Sequence, residues 1–411
     1  MNNLLKKKKN LFINKLCNFF NKKYLKKYSK IFEKDYKNNF IFWNNFLNNS
    51  FFKEKKTKFK INDENKNIIP KNVYCVVIFN GKILNKFTKL NKKWKIYKNK
   101  VLCKEFNFIK SDLISNIICK RRFLTDIIEL FNNNEYYQSL YILHIVENLN
   151  KNKKKLNLIK YNYLIKIKKN SKINIFENYV NLNSKKCFVI SNSSFFLDKN
   201  SKLKYFLNLN RNKDYNFLYK KFNLNKNTEI KKSIFLNKAK FSKINIKTNA
   251  NKKNIKIFIK SLVISNNKSL AKIKIKLNHL NNNCKSIQNH KIVSKKESYI
   301  SFDNLIEIKK NTKDVVSHIK VHNLLLDSSS NIKISPKLKI YSYKSKCTHK
   351  VVIGSFNKDY IFYLRSRGIS KRKSQYIMIV SFISSVFNNY IKNTKNFKIN
   401  DLNIRKVLYE K

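Results

Sequence analysis

Glycine and proline are almost missing from this 411-residue sequence, which contains three glycines and two prolines. A Walker-type phosphate loop or a dinucleotide-binding fingerprint needs two or three closely spaced glycines, so the composition excludes both. The motifs H-E-x-x-H and G-x-S-x-G are missing as well, and acidic residues are too sparse to single out a catalytic carboxylate pair. The sequence therefore argues against an enzyme.

Paired cysteines and long apolar runs are also missing. The seven cysteines are dispersed without a C-x-x-C pair, which argues for a reducing compartment and against a disulfide framework or a zinc ribbon. The best apolar stretch, residues 376–387, is interrupted by serines and is shorter than the roughly 20 residues of a membrane-spanning helix. The start, MNNLLKKKKNLF, has no apolar signal region. We therefore expect a protein that neither crosses a membrane nor is secreted.

Positive charge is present in large excess, with 91 lysines and arginines against 23 acidic residues and a formal net charge of +68. Only seven of these basic residues are arginine. A charge of this size attracts polyanions whatever the fold, so one interpretation is a lysine-rich nucleic-acid-binding or organellar ribosomal protein. The lysines are scattered through every segment and form no basic arm, a distribution that favours solvated faces.

Hydrophobic spacing divides the chain into three regions. Aromatic residues in positions 1–60 recur at steps of three and four, which predicts helices. Residues 73–110 look extended, and a second helix is expected over residues 110–140. Region 1–140 is thus predicted to be mostly helical with a short extended segment.

Region 141–350 consists of short runs that alternate apolar and polar residues, as in residues 255–260 and 271–277. Alternation with a period of two predicts strands with one buried face. Asparagine recurs between these runs and tolerates the left-handed conformation that glycine would otherwise supply. About 200 residues of short strands are typical of a sandwich, a barrel or a β-solenoid, and the periodicity does not choose among them.

Region 351–411 is predicted to be helical. A short helix over residues 359–366 would end at Gly368, and Ser370 would cap a longer helix. Apolar residues recur on the longer helix at steps of three and four, namely Tyr376, Ile379, Val380, Ile383, Val386, Phe387 and Tyr390. This stripe must pack either on the strands of the same chain or on a partner.

The candidate chemistry lies in the segment Lys346-Cys-Thr-His-Lys350. In an extended chain, residues two apart point to the same side, so Cys347 and His349 would present a thiol and an imidazole together. Such a pair suits iron or an iron–sulfur species, but two ligands do not complete a site. A buried cysteine beside a structural histidine is the alternative.

Longer motifs around this pair resemble the SufB/SufD family of iron–sulfur cluster assembly scaffolds. KCTH at 346–349, Ile353-Gly354 and FYLRSRGI at 362–369 are similar to the C-terminal signature of its SufD branch. CKSIQNHK at 284–291, NLLL at 323–326 and PKLKIY at 336–341 precede them in the family's order. The SufB branch typically carries a Glu-His-Glu-Ala type sequence in place of the cysteine–histidine block.

The resemblance implies a right-handed parallel β-helix between helical N- and C-terminal parts. It implies a non-catalytic scaffold that pairs with a SufB-like chain and docks a SufC-like ATPase, with no membrane or nucleic-acid partner. His349, with Cys347 beside it, would lie at the interface where a nascent cluster is built, and His349 would share a metal with the partner chain. No cofactor is expected to bind stably to this chain alone. The docking residues would be Phe362, Tyr363, Leu364, Arg365, Arg367 and Gly368.

Three further expectations depend on this resemblance. Lys350-Val351 replaces the family's usual Gly-Ala, which adds bulk and charge close to the proposed site and puts the local backbone path in question. Gly354 and Gly368 lie inside the signature, which predicts turns that accept no side chain. Arg365, Arg367 and Arg372 would bind a partner's carboxylates or backbone, or form an internal salt bridge at a helix end. The composition suggests the cytoplasm of a reduced-genome endosymbiont, with a plastid-like organelle as the alternative.

Overall fold

The computed structural model describes residues 73–101, 124–132, 135–148, 157–182, 185–210, 214–237 and 240–391. The chain divides into two compact units. One of them comprises Glu54–Lys100, Leu124–Leu149 and Asn157–Lys411 and is described below. The other, Met1–Lys53, Val101–Phe123 and Asn150–Leu156, lies outside the described residues except for Val101, the last residue of a strand. The helices predicted in residues 1–60 also lie outside the described residues.

The described residues form nineteen strands, two α-helices and a short 3-10 helix, Asn85–Phe87. The strands are β1 Tyr74–Phe79, β2 Lys82–Ile83, β3 Lys95–Val101, β4 Leu124–Leu130, β5 Gln138–Val146, β6 Asn157–Ile167, β7 Lys172–Asn181, β8 Cys187–Leu197, β9 Lys202–Asn210, β10 Tyr215–Leu224, β11 Glu229–Asn237, β12 Phe241–Ala250, β13 Ile255–Ser265, β14 Leu270–His279, β15 Cys284–Ser294, β16 Tyr299–Ile308, β17 Lys313–Leu325, β18 Asn331–Ile340 and β19 Lys344–Gly354. The helices are α1 Lys358–Ser366 and α2 Lys371–Ile391.

The strands alternate between two sheets. One sheet has the order β19-β17-β15-β13-β11-β9-β7-β5-β1-β2, and the other has the order β18-β16-β14-β12-β10-β8-β6-β4-β3. From β4 and β5 onward each strand pairs in parallel with the strand two positions later in the chain. Every two strands therefore make one coil of a parallel β-helix. The architecture expected from the resemblance is confirmed, and it selects the solenoid from the three candidates.

Alternation explains why these segments form strands. In β13, Ile255, Ile257 and Ile259 are buried while Lys256 is exposed. Each coil stacks such residues on the same residues of the next coil, which builds one continuous apolar interior. The second half of β13 is buried on both faces, because α2 lies against the outer side of β13 and β15.

Asparagine makes the corners that precede the odd-numbered strands. Asn170, Asn200, Asn227 and Asn254 all have φ near +60°, as the composition predicted. The side-chain amide of each of the last three donates to the side-chain oxygen of the preceding one, at 3.0–3.1 Å. We call this stack the asparagine ladder. It satisfies the amides while the backbone turns.

Glycine has different roles at its three positions. At Gly81 φ is +84° and a Cβ atom would overlap the carbonyl oxygen of Lys160, so a side chain is excluded. Gly368 has φ of +75° and follows α1, as a helix-terminating residue should. Gly354 has no positive φ, and a Cβ atom there would meet no other atom within 4 Å among the described residues. The expectation that Gly354 accepts no side chain is therefore wrong, because it ends an exposed edge strand.

The C-terminal helices follow the prediction. Asn357 caps α1 by accepting the Asp359 amide at 2.8 Å, and Ser370 accepts the Lys373 amide at 3.4 Å at the start of α2. Ile379 and Ile383 are buried against a cluster on the outer side of the longer sheet, together with Phe206, Phe235, Leu262, Ile264, Val293 and Leu324. The α2 stripe thus packs on its own chain as far as Ile383. The side chains of Val386, Phe387 and Tyr390 lie outside the described residues.

The helix predicted over residues 110–140 is wrong where the structure describes it. Leu124–Leu130 is strand β4, and Gln138 begins strand β5. Ile127 and Ile128 are both buried, because β4 lies in a sheet that is covered on both faces there. Adjacent apolar residues of that kind imitate the spacing of a helix.

The predicted boundaries at 140/141 and 350/351 also differ from the observed strands. The longer sheet continues N-terminally to β1, which pairs in parallel with β5. At the other end, β19 runs through to Gly354. Parallel pairing, which the sequence does not encode locally, extends the β-structure in both directions. The extended segment predicted over residues 73–110 is confirmed for β1, β2 and β3.

Candidate functional site

The cysteine–histidine pair lies on β19, the last strand of the longer sheet. Cys347 is in register with Ser317 of β17, and His349 is in register with Ile319. Ser317 and Ile319 are both buried in the interior. Because pleated neighbours in register share a side, Cys347 and His349 both lie on the interior side of the strand. The predicted shared side of the two residues agrees with this register.

Burial distinguishes the two residues. Cys347 is half-buried and packs against the main core, and burial raises the pKa of its thiol. His349 is exposed. An interior position is normally covered by the next coil, but in the part of the chain that the structure describes nothing pairs with the outer edge of β19. The same holds for β18 in the other sheet, so His349 lies at the open end of the β-helix.

The pair is an incomplete ligand set. Among the described residues, no group of three or more histidine, cysteine, aspartate or glutamate side chains could hold a metal ion. A thiol and an imidazole could supply two ligands, and any others would have to come from a partner or from the bound species. The geometry thus permits a metal site that is shared with another molecule, but the two residues alone do not form a complete site.

The Lys350-Val351 departure does not interrupt the strand. β17 and β19 stay in register from Val315/Ser345 to Leu324/Gly354. Val351 is half-buried against the main core, and Lys350 is exposed on the other side. The backbone here is that of a regular strand, because the pleat places the Val351 side chain inside and the Lys350 charge outside.

The upstream motif residues mainly support the last coils. Cys284 is buried at the start of β15, and burial raises the pKa of its thiol to about 11. His290 is buried and its Nδ1 is 2.7 Å from the hydroxyl oxygen of Ser261. The side-chain amide of Asn323 donates to the carbonyl oxygen of Val352 at 2.9 Å, which ties β17 to β19. These residues position the terminal strand.

Helix α1 carries the predicted docking residues and buries none of its side chains. Phe362 and Tyr363 are 73% and 54% exposed, and Leu364 is half-buried. The guanidinium of Arg367 lies over the ring of Tyr363, 5.2 Å from its centre. Within the described residues, neither Arg365 nor Arg367 forms a salt bridge, so the internal alternative is not observed there. Gly368 is exposed just beyond the helix.

A buried polar centre, which the sequence did not predict, lies far from this end. Both carboxylate oxygens of Glu177 accept from the Lys220 ammonium at 2.8 Å. The hydroxyl groups of Tyr179 and Tyr205 donate to the same carboxylate at 2.7 and 2.5 Å, and His144 Nε2 is 3.1 Å away. An acidic residue at an interior position of an alternating strand was the available signal.

Electrostatics keep Glu177 ionised. Burial alone would raise the pKa of its carboxyl group, but the Lys220 charge and the His144 bond outweigh burial and hold that pKa well below its ordinary value. All these side chains are at least 95% buried. The centre links the two sheets in the interior, so it serves the fold.

None of the helices that the structure describes is both long and apolar enough to cross a bilayer. The fold and its open end define a β-helix protein whose terminal coil offers strand edges and two potential ligands to another molecule. The profile described as "SUF system FeS cluster assembly, SufBD core domain" matches residues 149–382, more than half of the chain. The chain belongs to this SufB/SufD family of iron–sulfur cluster assembly proteins.

Curated relatives are similar over shorter stretches. The iron–sulfur cluster assembly protein SufD of Escherichia coli is 26% identical over 142 residues, 34% of this chain and 34% of that protein. A SufBD family protein of Synechocystis is 34% identical over 64 residues, 16% of this chain and 14% of its own length. The chloroplastic protein ABCI7 of Arabidopsis thaliana is 28% identical over 106 residues, 26% and 22% of the two chains. The chain thus spans about a third, or less, of the length of these relatives.

Proposed function

We propose that this chain is a SufD-type scaffold subunit that acts with a SufB-like chain and a SufC-like ATPase in iron–sulfur cluster assembly. The observation that carries the proposal is the exposed His349 on the edge of β19 that no described strand pairs with. A free strand edge is a template for pairing with another chain, and here it carries a metal-binding side chain. Family membership disfavours the ribosomal-protein alternative.

The SufB-like partner would cover the open end of the β-helix. Ile340, Tyr341, Val352 and Ile353 are exposed on or next to β18 and β19. Apolar side chains along two free edges favour burial by a partner protein. The partner would also complete the ligand set that Cys347 and His349 begin. The nascent cluster would be cargo held at this interface and not a resident cofactor.

The SufC-like ATPase would dock on α1. Tyr360, Phe362 and Tyr363 are exposed, and Arg365 supplies an exposed guanidinium. Aromatic residues and arginine are the side chains that most often dominate protein interfaces. In this arrangement the ATPase hydrolyses the nucleotide. This chain transmits the movement of the ATPase to the interface with the SufB-like chain and catalyses no reaction itself. The compartment stays a prediction, either a bacterial cytoplasm or a plastid-like organelle.

Co-purification tests the proposal. The full chain is expressed with the SufB-like and SufC-like proteins of its own genome and isolated through a tag on this chain. Both partners should elute with it in a stable complex at roughly physiological ionic strength, where exposed charges more than about 8 Å apart are largely screened. Elution of neither partner, with the chain still folded by circular dichroism, would contradict the proposal.

A further inference from the structure

A short motif recurs at one corner of the β-helix, once in each of six successive coils. The motif is Lys-Asn-Ser/Thr-Lys in its fullest form, and its asparagines are Asn170, Asn200, Asn227, Asn254, Asn283 and Asn311. All six have φ between +54° and +65°. The corner is therefore built in the same way from β6 to β15, and at β17 a second left-handed residue, Asp314, follows the asparagine.

The turn itself explains the two central residues of the motif. Asparagine supplies the left-handed conformation, and the following side chain, small in five of the six coils, is buried. The hydroxyl groups of Ser201, Thr228 and Thr312 each donate to the carbonyl oxygen three residues earlier, at 2.6–2.9 Å. Neither feature requires a lysine on either side.

Lysine nevertheless occupies ten of the twelve positions just before and two after these asparagines. About one residue in five of the whole chain is lysine, so composition alone would place two or three there. The ten are Lys169, Lys172, Lys199, Lys202, Lys226, Lys253, Lys256, Lys285, Lys310 and Lys313, and we call them the lysine track. Nine of them are exposed, and Lys172 is half-buried.

Register places nine of these lysines in two rows beside the asparagine ladder. The backbone amides of Asn170, Asn200 and Asn227 donate to the carbonyl oxygens of Lys199, Lys226 and Lys253, at 3.0–3.2 Å, so the first row steps from coil to coil. In the second row Lys172 pairs with Lys202, and Lys256 with Lys285. In the last coil Lys285 pairs with Val316 and the Asn283 amide donates to the Lys313 carbonyl oxygen, so Lys313 continues the first row and Lys310 lies outside both rows. At about 4.8 Å per coil, six coils extend about 24 Å.

The charge of the track is not neutralised by the chain. Among the described residues, none of the ten lysines forms a salt bridge, whereas Lys166, Lys168, Lys231, Lys268 and Lys276 elsewhere on the surface do. Glu229 in the second row is engaged by Lys231 at 2.7 Å. A straight double row of ammonium groups outside any ion pair suits an extended polyanion.

An adjoining groove indicates which polyanion. It has a volume of about 380 Å³ and borders the corner at Lys168, Asp198 and Lys252. The half-buried ring of Phe196 lines it together with Leu197 and Leu224. Lysines that track a backbone beside an aromatic ring are the usual elements of single-stranded nucleic-acid binding, whereas an acidic peptide would need the lysines alone.

We propose that the lysine track binds the phosphate backbone of a single-stranded nucleic acid, with bases entering the groove at Phe196. The net charge of the sequence could not distinguish such a surface from solvated lysines, since the track exists only once the coils are stacked. This activity is independent of cluster assembly and uses a different part of the β-helix from the terminal strand.

Fluorescence anisotropy with an oligo(U) of about 12 nucleotides, within the usual site size of single-strand binders, and the full chain tests the proposal. The variant K169Q/K199Q/K226Q/K253Q should bind about tenfold or more weakly, and the slope of log affinity against log salt should fall by about 2–3. The matched control K274Q/K320Q/K333Q/K337Q removes the same charge from exposed lysines outside the track and should change affinity less than about twofold.

Three results would overturn the proposal. Equal weakening by both variants would mean that bulk charge binds the oligonucleotide, and no weakening by the track variant would mean that the track is unused. A loss of oligoglutamate binding with oligo(U) binding intact would assign the track to an acidic protein instead. Because all eight lysines are exposed, thermal unfolding should be the same for the three proteins.

Discussion

The ammonium of Lys220 lies 2.8 Å from both carboxylate oxygens of Glu177, between the two sheets and out of contact with water. The two residues are 43 positions apart in the chain and belong to different sheets. Removing Lys220 alone would leave a buried carboxylate without its cation. We therefore expect K220M to lower the free energy of unfolding by about 3–5 kcal/mol, and E177L/K220M to recover much of that loss.

Chemical denaturation of the three proteins measures these differences. The control is K276M, which breaks the partly exposed pair of Lys276 and Glu307, 2.6 Å apart. Its cost should stay below about 1 kcal/mol. A K220M protein as stable as the unsubstituted chain would show that the pair contributes nothing to the fold.

Two buried histidines should make the fold sensitive to mild acid. Burial lowers the pKa of His279 to about 4 and that of His290 to about 3, below the ordinary value of 6.5. The unfolded chain then binds more protons, so stability is complete above pH 6.5 and falls as the pH decreases toward these values. Each histidine should cost about 2–3 kcal/mol between about pH 6.5 and 4.5.

Unfolding free energies measured at several pH values test this dependence. The variants H279N and H290Q should each reduce the slope over the same interval, and the double variant should reduce it further. An unchanged slope in both single variants would mean that carboxyl groups alone cause the acid sensitivity.

Lys232 should make stability rise with pH in the same way, but in the alkaline range. It is fully buried, donates to the Thr248 hydroxyl and lies over the Phe222 ring, and burial lowers its pKa to about 7. The unfolded lysine, with an ordinary pKa of 10.5, holds its proton over a range where the folded one has lost it. Stability should therefore rise between about pH 7 and 9.5, by about 3 kcal/mol relative to K232M.

The comparison with K232M is needed because the other lysines also lose charge at high pH. Parallel stability curves for the two proteins over this alkaline range would contradict the neutral state of this amine. A gain in unfolding free energy that occurs only in the unsubstituted chain would establish that the Lys232 amine is neutral.

Substitution of His349 tests the proposed interface with the SufB-like chain. The side chain is exposed at the open end of the β-helix, so H349A should leave the fold and complex formation with the SufB-like and SufC-like partners intact. If the imidazole is a ligand or positions one, cluster formation in the reconstituted complex should fall by about tenfold. The absorbance of the cluster per complex measures the yield, with H318A on the neighbouring strand as control. An unchanged yield would exclude His349 from assembly.

Helix α1 can be tested without removing the C-terminal region. Deleting residues 358–411 should abolish binding of the ATPase, but it would also expose the cluster that Ile379 and Ile383 cover. The variant F362A/Y363A avoids this problem because both rings are exposed. The loss of each ring should weaken ATPase binding by about 2 kcal/mol if the rings anchor the interface.

The matched control is Y136A, which removes a ring that is 83% exposed near the other end of the described residues. Calorimetric titration with the purified ATPase compares the three proteins. Equal affinity for F362A/Y363A and Y136A would place the docking surface elsewhere.

Local features of the sequence determined much of the fold. Alternation identified the strands between β6 and β19 because one face of each strand is buried. Asparagine marked the corners and Gly368 the end of α1, since left-handed backbone requires residues of that kind. The shared side of Cys347 and His349 followed from the strand period alone.

Only the tertiary structure decided the rest, because it depends on which strands are neighbours. Strand β4 has the apolar spacing of a helix because both of its faces are covered, so residues on both faces are apolar. The partner of Glu177, the cover over Cys347 and the exposure of His349 depend on stacking residues that lie in different coils and far apart in the chain. The lysine track likewise forms only when successive coils bring the same corner into line. Pairing of distant segments, which no local pattern specifies, determined these features.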